Sequence, residues 1–147
     1  MPDPTSLGAL FASAFLAATL LPASSEVVLV ALIAGGAGPA WLLVLVATVG
    51  NVLGSATNWA LGRFLIEYRT RRWFPVAPAR IEQASAWFKR FGVWSLLFAW
   101  LPVIGDALTL VAGLFRVGFG RFVILVTLGK AARYMAIAAG ALWWAER

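Results

Sequence analysis

Long hydrophobic stretches, separated by short polar segments, make up most of this chain. The stretch from Ala40 to Gly62 carries no charge, and the stretch from Phe122 to Trp144 is hydrophobic apart from Lys130 and Arg133. A helix that crosses a bilayer needs about 20 mainly hydrophobic residues, so both stretches are long enough to cross. The pattern therefore predicts two membrane-spanning helices.

Two further hydrophobic stretches, one before and one after the polar middle of the chain, are each interrupted near their centre. Both interruptions have the form Leu-Pro-x-x-x-acid, with Pro22 before Glu26 and Pro102 before Asp106. Proline removes a helical hydrogen-bond donor, and a carboxylate is costly in hydrocarbon. Neither stretch is therefore expected to be a plain span, and the prolines mark predicted hairpin breaks.

The two interruptions lie 80 residues apart, and this offset recurs elsewhere in the chain. The same offset separates Gly38 from Gly118, and nearly the same offset separates Thr-Val-Gly-Asn at 48–51 from Thr-Leu-Gly-Lys at 127–130. Each unit is a broken hydrophobic segment, a glycine-containing turn and a full span. Duplicated halves of this kind are typical of membrane transporters.

We therefore expect a single membrane domain over residues 1–147. Repeat 1 covers about 5–66, repeat 2 covers about 92–145, and a basic linker over about 67–91 lies on the cytoplasmic side. Hydrophobic residues recur at helical spacing between Pro78 and Phe91, which predicts an amphipathic helix lying in the membrane surface.

Each broken segment has two possible interpretations. It is either a kinked span, which gives four crossings, or a re-entrant hairpin that returns to the side from which it entered. Cytoplasmic loops are enriched in Lys and Arg, and only hairpins place the basic linker on the same side as Arg116 and Arg121. We therefore favour an all-α integral membrane protein of two inverted repeats, each a re-entrant helical hairpin followed by a transmembrane helix.

Composition narrows the possible function classes. Charged residues are only 12% of the chain, hydrophobic residues are 62%, and there is no Cys and no His. A soluble domain carries about 25% charged residues, so lipid must solvate most of this surface. Without thiol or imidazole groups there is no triad of the usual kind, and we expect no enzyme, no cofactor and no metal site.

The 12 basic residues outnumber the 6 acidic residues. We assign this excess to membrane orientation and to membrane lipids with anionic headgroups as partners. Nucleic acid is not an expected partner, because the sequence contains no motif that binds it.

Four ionisable residues lie in hydrophobic surroundings: Glu26, Asp106, Lys130 and Arg133. Each costs about 3 kcal/mol if it is unpaired at the bilayer centre. One interpretation is a structural salt bridge between the halves. The other is a transport site in which the two cations, three residues apart on one helix face, contact an anionic substrate. The two carboxyl groups would then be proton-responsive, since a carboxyl group removed from water is protonated more readily.

The first predicted span combines small and polar residues. Gly50 and Gly54 let a second helix approach closely, and polar side chains can hydrogen-bond across such a contact. Asn51, Ser55 and Asn58 could therefore either hold helices together or line a polar path. The same face also suggests self-association into a homo-oligomer.

Several short motifs follow one another in a fixed order along nearly the whole chain. They are Leu21-Pro22-x-x-x-Glu26, Gly50-x-x-x-Gly54-x-x-x-x-x-x-x-Gly62-Arg63, Phe91-Gly92, Leu101-Pro102, Ala112-Gly113 and Phe119. Their order and spacing resemble those of the DedA family, also called the VTT-domain or SNARE-associated Golgi protein family. The likeness is greatest to its short YqaA-like branch.

The resemblance implies a multi-pass protein of the bacterial inner membrane. Relatives are associated with the movement of lipids across bilayers, and several with the proton motive force. Glu26 matches the family's membrane-embedded glutamate, and Arg63 matches the arginine that closes the glycine run and joins the candidate substrate contacts. The larger members carry an acid where this chain has Ser55, and arginines where it has Ala99 and Gly105.

We therefore expect a flippase-like transporter that moves a lipid or an amphipathic anionic substrate across the inner membrane and that could be coupled to protons. A small ion or solute transporter and a structural subunit without transport activity are the alternatives.

The hairpin topology can be tested with single cysteines, because the chain has none of its own. Cysteines introduced at positions 36 and 118 are expected to be labelled by a membrane-impermeant maleimide from opposite sides of the membrane. Labelling of both positions from the same side would exclude the hairpins.

Overall fold

The structure is a computed structural model that describes residues 3–19, 24–68, 70–74, 76–101 and 104–147. All regular structure within these ranges is helical. The elements are α1 (Pro4–Thr19), α2 (Ser24–Ala34), α3 (Ala40–Phe64), α4 (Pro78–Phe91), α5 (Ile104–Leu114) and α6 (Phe119–Ala145), with 3₁₀ segments at Ile66–Tyr68 and Gly92–Trp100.

Among the described residues, α3 and α6 are the helices long and apolar enough to cross a membrane, which confirms the two predicted spans. The two helices run antiparallel. Near the end of α3, the indole N–H of Trp59 donates to the carbonyl of Val117, just before α6 begins, at 3.0 Å. Near the start of α3, Leu43 shares a hydrophobic cluster with Tyr134 and Ala138 of α6.

The two predicted interruptions coincide with helix ends. The first separates α1 from α2, and the second separates the longer 3₁₀ segment from α5. Pro22 and Pro102, the predicted hairpin breaks, lie outside the described residues. Helices α2 and α5 each have 11 residues. Such a helix is about 16 Å long, which is about half the thickness of the hydrocarbon core of a bilayer.

The turns after α2 and α5 have the same backbone structure. The matching residues are 80 positions apart, as are the two interruptions. The N–H groups of Ala37 and Val117 each donate over 2.9 Å to the carbonyl five residues earlier. The preceding residue is left-handed in both turns, with φ of 65° at Gly36 and 59° at Arg116. This is the Schellman arrangement that ends many helices. Glycine adopts it freely, whereas an arginine there is uncommon, so tertiary structure must hold the second turn.

Close helix contacts place α3 at the centre of the fold. A Cβ atom added at Gly50 or Gly54 would lie 2.6 Å or 2.5 Å from a carbonyl oxygen of α1. Gly62 meets α5 in the same way, because the carbonyl oxygen of Leu110 occupies the place that a Cβ would take. Small residues therefore let α1 and α5 pack directly on the α3 backbone.

The helix predicted in the linker is present as α4. Its residues Ile81 and Ala84 are buried in a cluster with Leu108 and Val111 of α5. The residue pattern between Pro78 and Phe91 predicts that this hydrophobic face lies in the membrane surface. In the structure part of the face covers α5 instead, so α4 is a packed element of the domain.

The α3–α5 contact predicts a difference between two glycine substitutions. Gly62→Ala is expected to lower the free energy of unfolding by about 1–3 kcal/mol, because the new methyl group overlaps the backbone of α5. Gly140→Ala is the control, since nothing lies within 4 Å of its added Cβ. Thermal unfolding in detergent measures both, and equal stability of the two variants would contradict the close contact.

Candidate functional site

An ion pair between α2 and α6 joins the two halves of the chain. The Nη2 atom of Arg133, near the middle of α6, pairs with Oε1 of Glu26 in the first turn of α2. The Nη1 atom of Arg133 donates to the carbonyl of Trp100 at 2.9 Å. Both charged side chains are partly exposed, Arg133 by 24% and Glu26 by 28%. The pair therefore lies at the edge of the helix bundle.

A second ion pair lies deeper in the bundle. The Nζ atom of Lys130 lies 3.2 Å from Oδ1 of Asp106 and donates a short hydrogen bond to Oδ1 of Asn51. The Nδ2 atom of Asn51 in turn donates to the carbonyl of Ala14 in α1 at 2.7 Å. Lys130 is only 3% exposed. This cluster consequently ties α1, α3, α5 and α6 together around one ammonium group.

Both acids occupy the same place in their helices. Glu26 is the third residue of α2, and Asp106 is the third residue of α5. The first turn of a helix has backbone N–H groups without helical partners, and the helix dipole is positive there. The broken segments thus deliver each carboxylate on the helix end that stabilises negative charge best.

A groove of about 640 Å³ opens beside the outer ion pair, and we call it the Arg133 groove. Its volume is in the range of sites that bind small molecules. Glu26 and Arg133 are its charged members, and the others are hydrophobic. The lining residues are Glu26, Leu97, Trp100, Leu128, Gly129, Ala132, Arg133, Ala136 and Ile137.

The predicted site residues thus fall into two separate groups. The Glu26 and Arg133 pair lines the groove, whereas Lys130 and Asp106 belong to the inner cluster. Arg63 joins neither group. Its guanidinium lies 5.6 Å from the ring centre of Trp59, at the far end of α3. Within the described ranges no group of three acidic side chains could hold a metal ion.

The polar residues of α3 mainly connect helices. The Nδ2 atom of Asn58 donates to the carbonyl of Ala18 in α1 at 2.7 Å and to the hydroxyl of Thr109 in α5 at 3.3 Å. The hydroxyl of Ser55 donates to the carbonyl of Asn51, one turn earlier in the same helix. All three α3 side chains are buried, and they do not line the Arg133 groove.

One hydrogen bond beside the site was not predicted from the sequence. The hydroxyl groups of Ser25 and Tyr134 lie 2.7 Å apart and connect α2 to α6. Each residue is the direct neighbour of a member of the outer ion pair. Tyr134 lies 79 residues after Ser55, just as Lys130 lies 79 residues after Asn51. The sequence repeat therefore contained a signal that Tyr134 faces the interior.

Comparison with known proteins gives consistent results. The family model of the VTT domain matches residues 21–141. The proteins named "Inner membrane protein YqaA" of Escherichia coli K12 and Shigella flexneri are each 49% identical over 98% of this chain and 99% of their own length. A Staphylococcus aureus protein named "Undecaprenyl phosphate transporter A" is 25% identical over 59% of this chain and 47% of its own length. No solved structure is significantly similar.

The two ion pairs are expected to differ in their importance for stability. Lys130→Met should lower the free energy of unfolding by about 3–5 kcal/mol, because it removes the hydrogen bond to Asn51 and leaves the Asp106 carboxylate, only 21% exposed, without its cation. Arg133→Met should cost less, since the guanidinium that it removes is 24% exposed at the edge of the bundle, whereas Lys130 is 3% exposed.

Unfolding in detergent at one pH compares the two variants. The double variant Lys130→Met/Asp106→Asn should recover part of the loss, because no charge is then left without a partner. An equal or larger loss in Arg133→Met would contradict this ranking of the two pairs.

Proposed function

This chain belongs to the VTT-domain family, also called the DedA family, and from that premise we propose that it moves a lipid or another amphipathic anionic substrate across the membrane. It is an integral protein of the bacterial inner membrane. A distant relative is named as a transporter of undecaprenyl phosphate, a phosphate carried on a long hydrocarbon chain. That name is one support for a substrate with an anionic head and a hydrophobic tail.

The observation that carries the proposal is an arginine in a hydrophobic groove near the middle of a spanning helix. Ionisable residues at this depth in a membrane are costly and are usually paired, as Arg133 is with Glu26, and they commonly mark substrate pathways. The planar guanidinium of Arg133 can bind a phosphate through two hydrogen bonds, while the hydrophobic walls accept the attached chain. Transport of the intact substrate needs no further chemistry, so we propose no enzymatic activity.

We propose further that the two halves form inverted repeats and that each broken segment is a re-entrant hairpin. Helices α2 and α5 are too short to cross a bilayer, and the two spanning helices are antiparallel. The turns that precede the spans lie at opposite ends of the bundle. Inverted halves of this kind allow a central site to face the two sides of a membrane in turn.

Glu26 is the group that we assign to proton coupling. When Glu26 is ionised it occupies Arg133, so an anionic substrate must compete with it. Once Glu26 takes up a proton, the guanidinium becomes available to the substrate. The other ionisable groups nearby are Tyr134, Lys130 and Asp106, and the last two neutralise each other. We assign Lys130 and Asp106 to the scaffold rather than to substrate binding.

The proposal can be tested in liposomes that contain a fluorescent anionic phospholipid. Arg133→Gln should slow transfer of this lipid between leaflets at least about tenfold, which corresponds to the loss of one charge-assisted hydrogen bond. In the wild-type protein, transfer should accelerate as the pH falls, because protonation of Glu26 releases Arg133.

Glu26→Gln should keep lipid transfer but abolish its dependence on pH. Glu82→Gln, an exposed change on α4, is the control and should behave like the wild type. Ion flux measured in the same liposomes separates the alternative function. If Arg133→Gln loses an ion flux while its lipid transfer is as fast as that of the wild type, the site serves ion transport and the proposed role in lipid transport is excluded.

A further inference from the structure

A second cleft lies between the same two elements as the Arg133 groove. It has a volume of about 430 Å³, and we call it the Arg121 cleft. It lies at the end of the bundle where α6 begins, near the basic linker. Its lining residues are Val93, Trp94, Arg121, Ile124 and Leu125.

The 3₁₀ segment and α6 each carry a row of residues that runs from the cleft to the groove. In the 3₁₀ segment, residues three apart lie in one row, so Trp94, Leu97 and Trp100 share one side. Trp94 belongs to the cleft, whereas Leu97 and Trp100 belong to the groove. The row on the 3₁₀ segment therefore runs from one cavity into the other.

Helix α6 supplies the opposite wall. Arg121, Leu125, Leu128 and Ala132 follow at spacings of four, three and four residues, which places them along one face of an α-helix. The first two line the cleft and the last two line the groove. The two cavities therefore lie in line along α6, and we call this line the furrow; the residues that line it between Arg121 and Arg133 are hydrophobic.

An arginine stands at each end of this furrow. Arg121 is exposed and has no ion-pair partner among the residues that the structure describes. Arg133 lies 12 residues further along the helix, or about 18 Å at 1.5 Å per residue. This distance is about half the thickness of a bilayer core, so the furrow leads from the membrane surface to mid-depth.

We propose that the Arg121 cleft binds the phosphate ester of a membrane lipid headgroup and passes it along the furrow to Arg133. Arginine binds phosphate through paired hydrogen bonds, and the 65% exposed Trp94 is suited to the interface between headgroups and chains. The hydrocarbon chains of the lipid stay in the bilayer beside Ile124 and Leu128, both of which are exposed. The inference rests on the proposed function only in its second step, the transfer to Arg133.

A third cleft with an arginine does not fit this role. It lies between α4 and the 3₁₀ segment and is lined by Ala86, Trp87, Arg90, Phe91 and Phe98. No residue of α6 is among them, so this cleft does not lead to Arg133. The connection along α6 distinguishes Arg121 from the other basic residues at this end of the bundle.

The binding step is tested on the purified full-length protein with phosphatidylglycerol as the probe, and native mass spectrometry counts the bound lipids. Arg121→Gln should weaken phosphatidylglycerol binding at least about tenfold, and Arg121→Lys should weaken it less. Arg116→Gln is the matched control, because it removes the same charge five residues away and outside the cleft. It should bind like the wild type.

Two outcomes would overturn the binding site. If Arg116→Gln and Arg121→Gln weaken binding equally, the lipid is held by the general positive charge of the surface. If inorganic phosphate displaces phosphatidylglycerol from the wild type at the same concentration as the lipid, the rest of the lipid adds nothing to binding and the cleft recognises free phosphate.

The furrow itself is tested by obstruction. Ala132→Trp, which changes the Arg133 groove and lies outside the Arg121 cleft, should leave phosphatidylglycerol bound at Arg121. It should slow transfer of the lipid between leaflets in liposomes at least about tenfold, because the headgroup then no longer reaches the charged contact at Arg133. Unchanged transfer in this variant would exclude the furrow as the path. If Arg121→Gln loses binding while Arg133→Gln transfers lipid normally, the surface site stands and the proposed midplane step fails.

Discussion

The charge of Lys130 has to be satisfied inside the protein, because neither lipid nor hydrophobic side chains can solvate an ammonium group. Asp106 and Asn51 provide the two contacts, and each arrives on a different helix. Neither contact forms unless α3, α5 and α6 cross at nearly the same depth. Asn51 also holds α1 through a backbone carbonyl. The relative position of these four helices therefore depends on one buried charge.

Once the inner charge is satisfied, the outer pair is free for another role. Glu26 and Arg133 lie only one helical turn from the inner cluster, but they face a groove. A rigid interior beside an accessible, neutralised arginine suits a site that must bind an anion and release it again. The proposed division between a scaffold pair and a working pair rests on the burial of the two cations, since Lys130 is 3% exposed and Arg133 is 24% exposed.

The broken segments explain how carboxylates can lie at this depth. The first turn of a helix has free N–H groups and a positive dipole end, which stabilise the carboxylates of Glu26 in α2 and Asp106 in α5. The 3₁₀ segment precedes the second break, and its period of three residues lines up Trp94, Leu97 and Trp100 along α6. A regular α-helix in this place would turn these residues to different sides. Glycines on α3 complete the arrangement by letting α1 and α5 reach its backbone.

The sequence by itself determined that lipid surrounds most of the protein surface. It also determined the two spans, the linker helix and the four charged residues in hydrophobic surroundings, because hydropathy and periodicity are local properties of a chain. It also assigned the family. Only the tertiary structure decided that Lys130 is internal whereas Arg133 faces a groove, although they are three residues apart, and that Arg63 lies apart from both. It alone showed the contact between Ser25 and Tyr134. Partner choice depends on where helices cross, and the crossings are set by contacts between residues far apart in sequence.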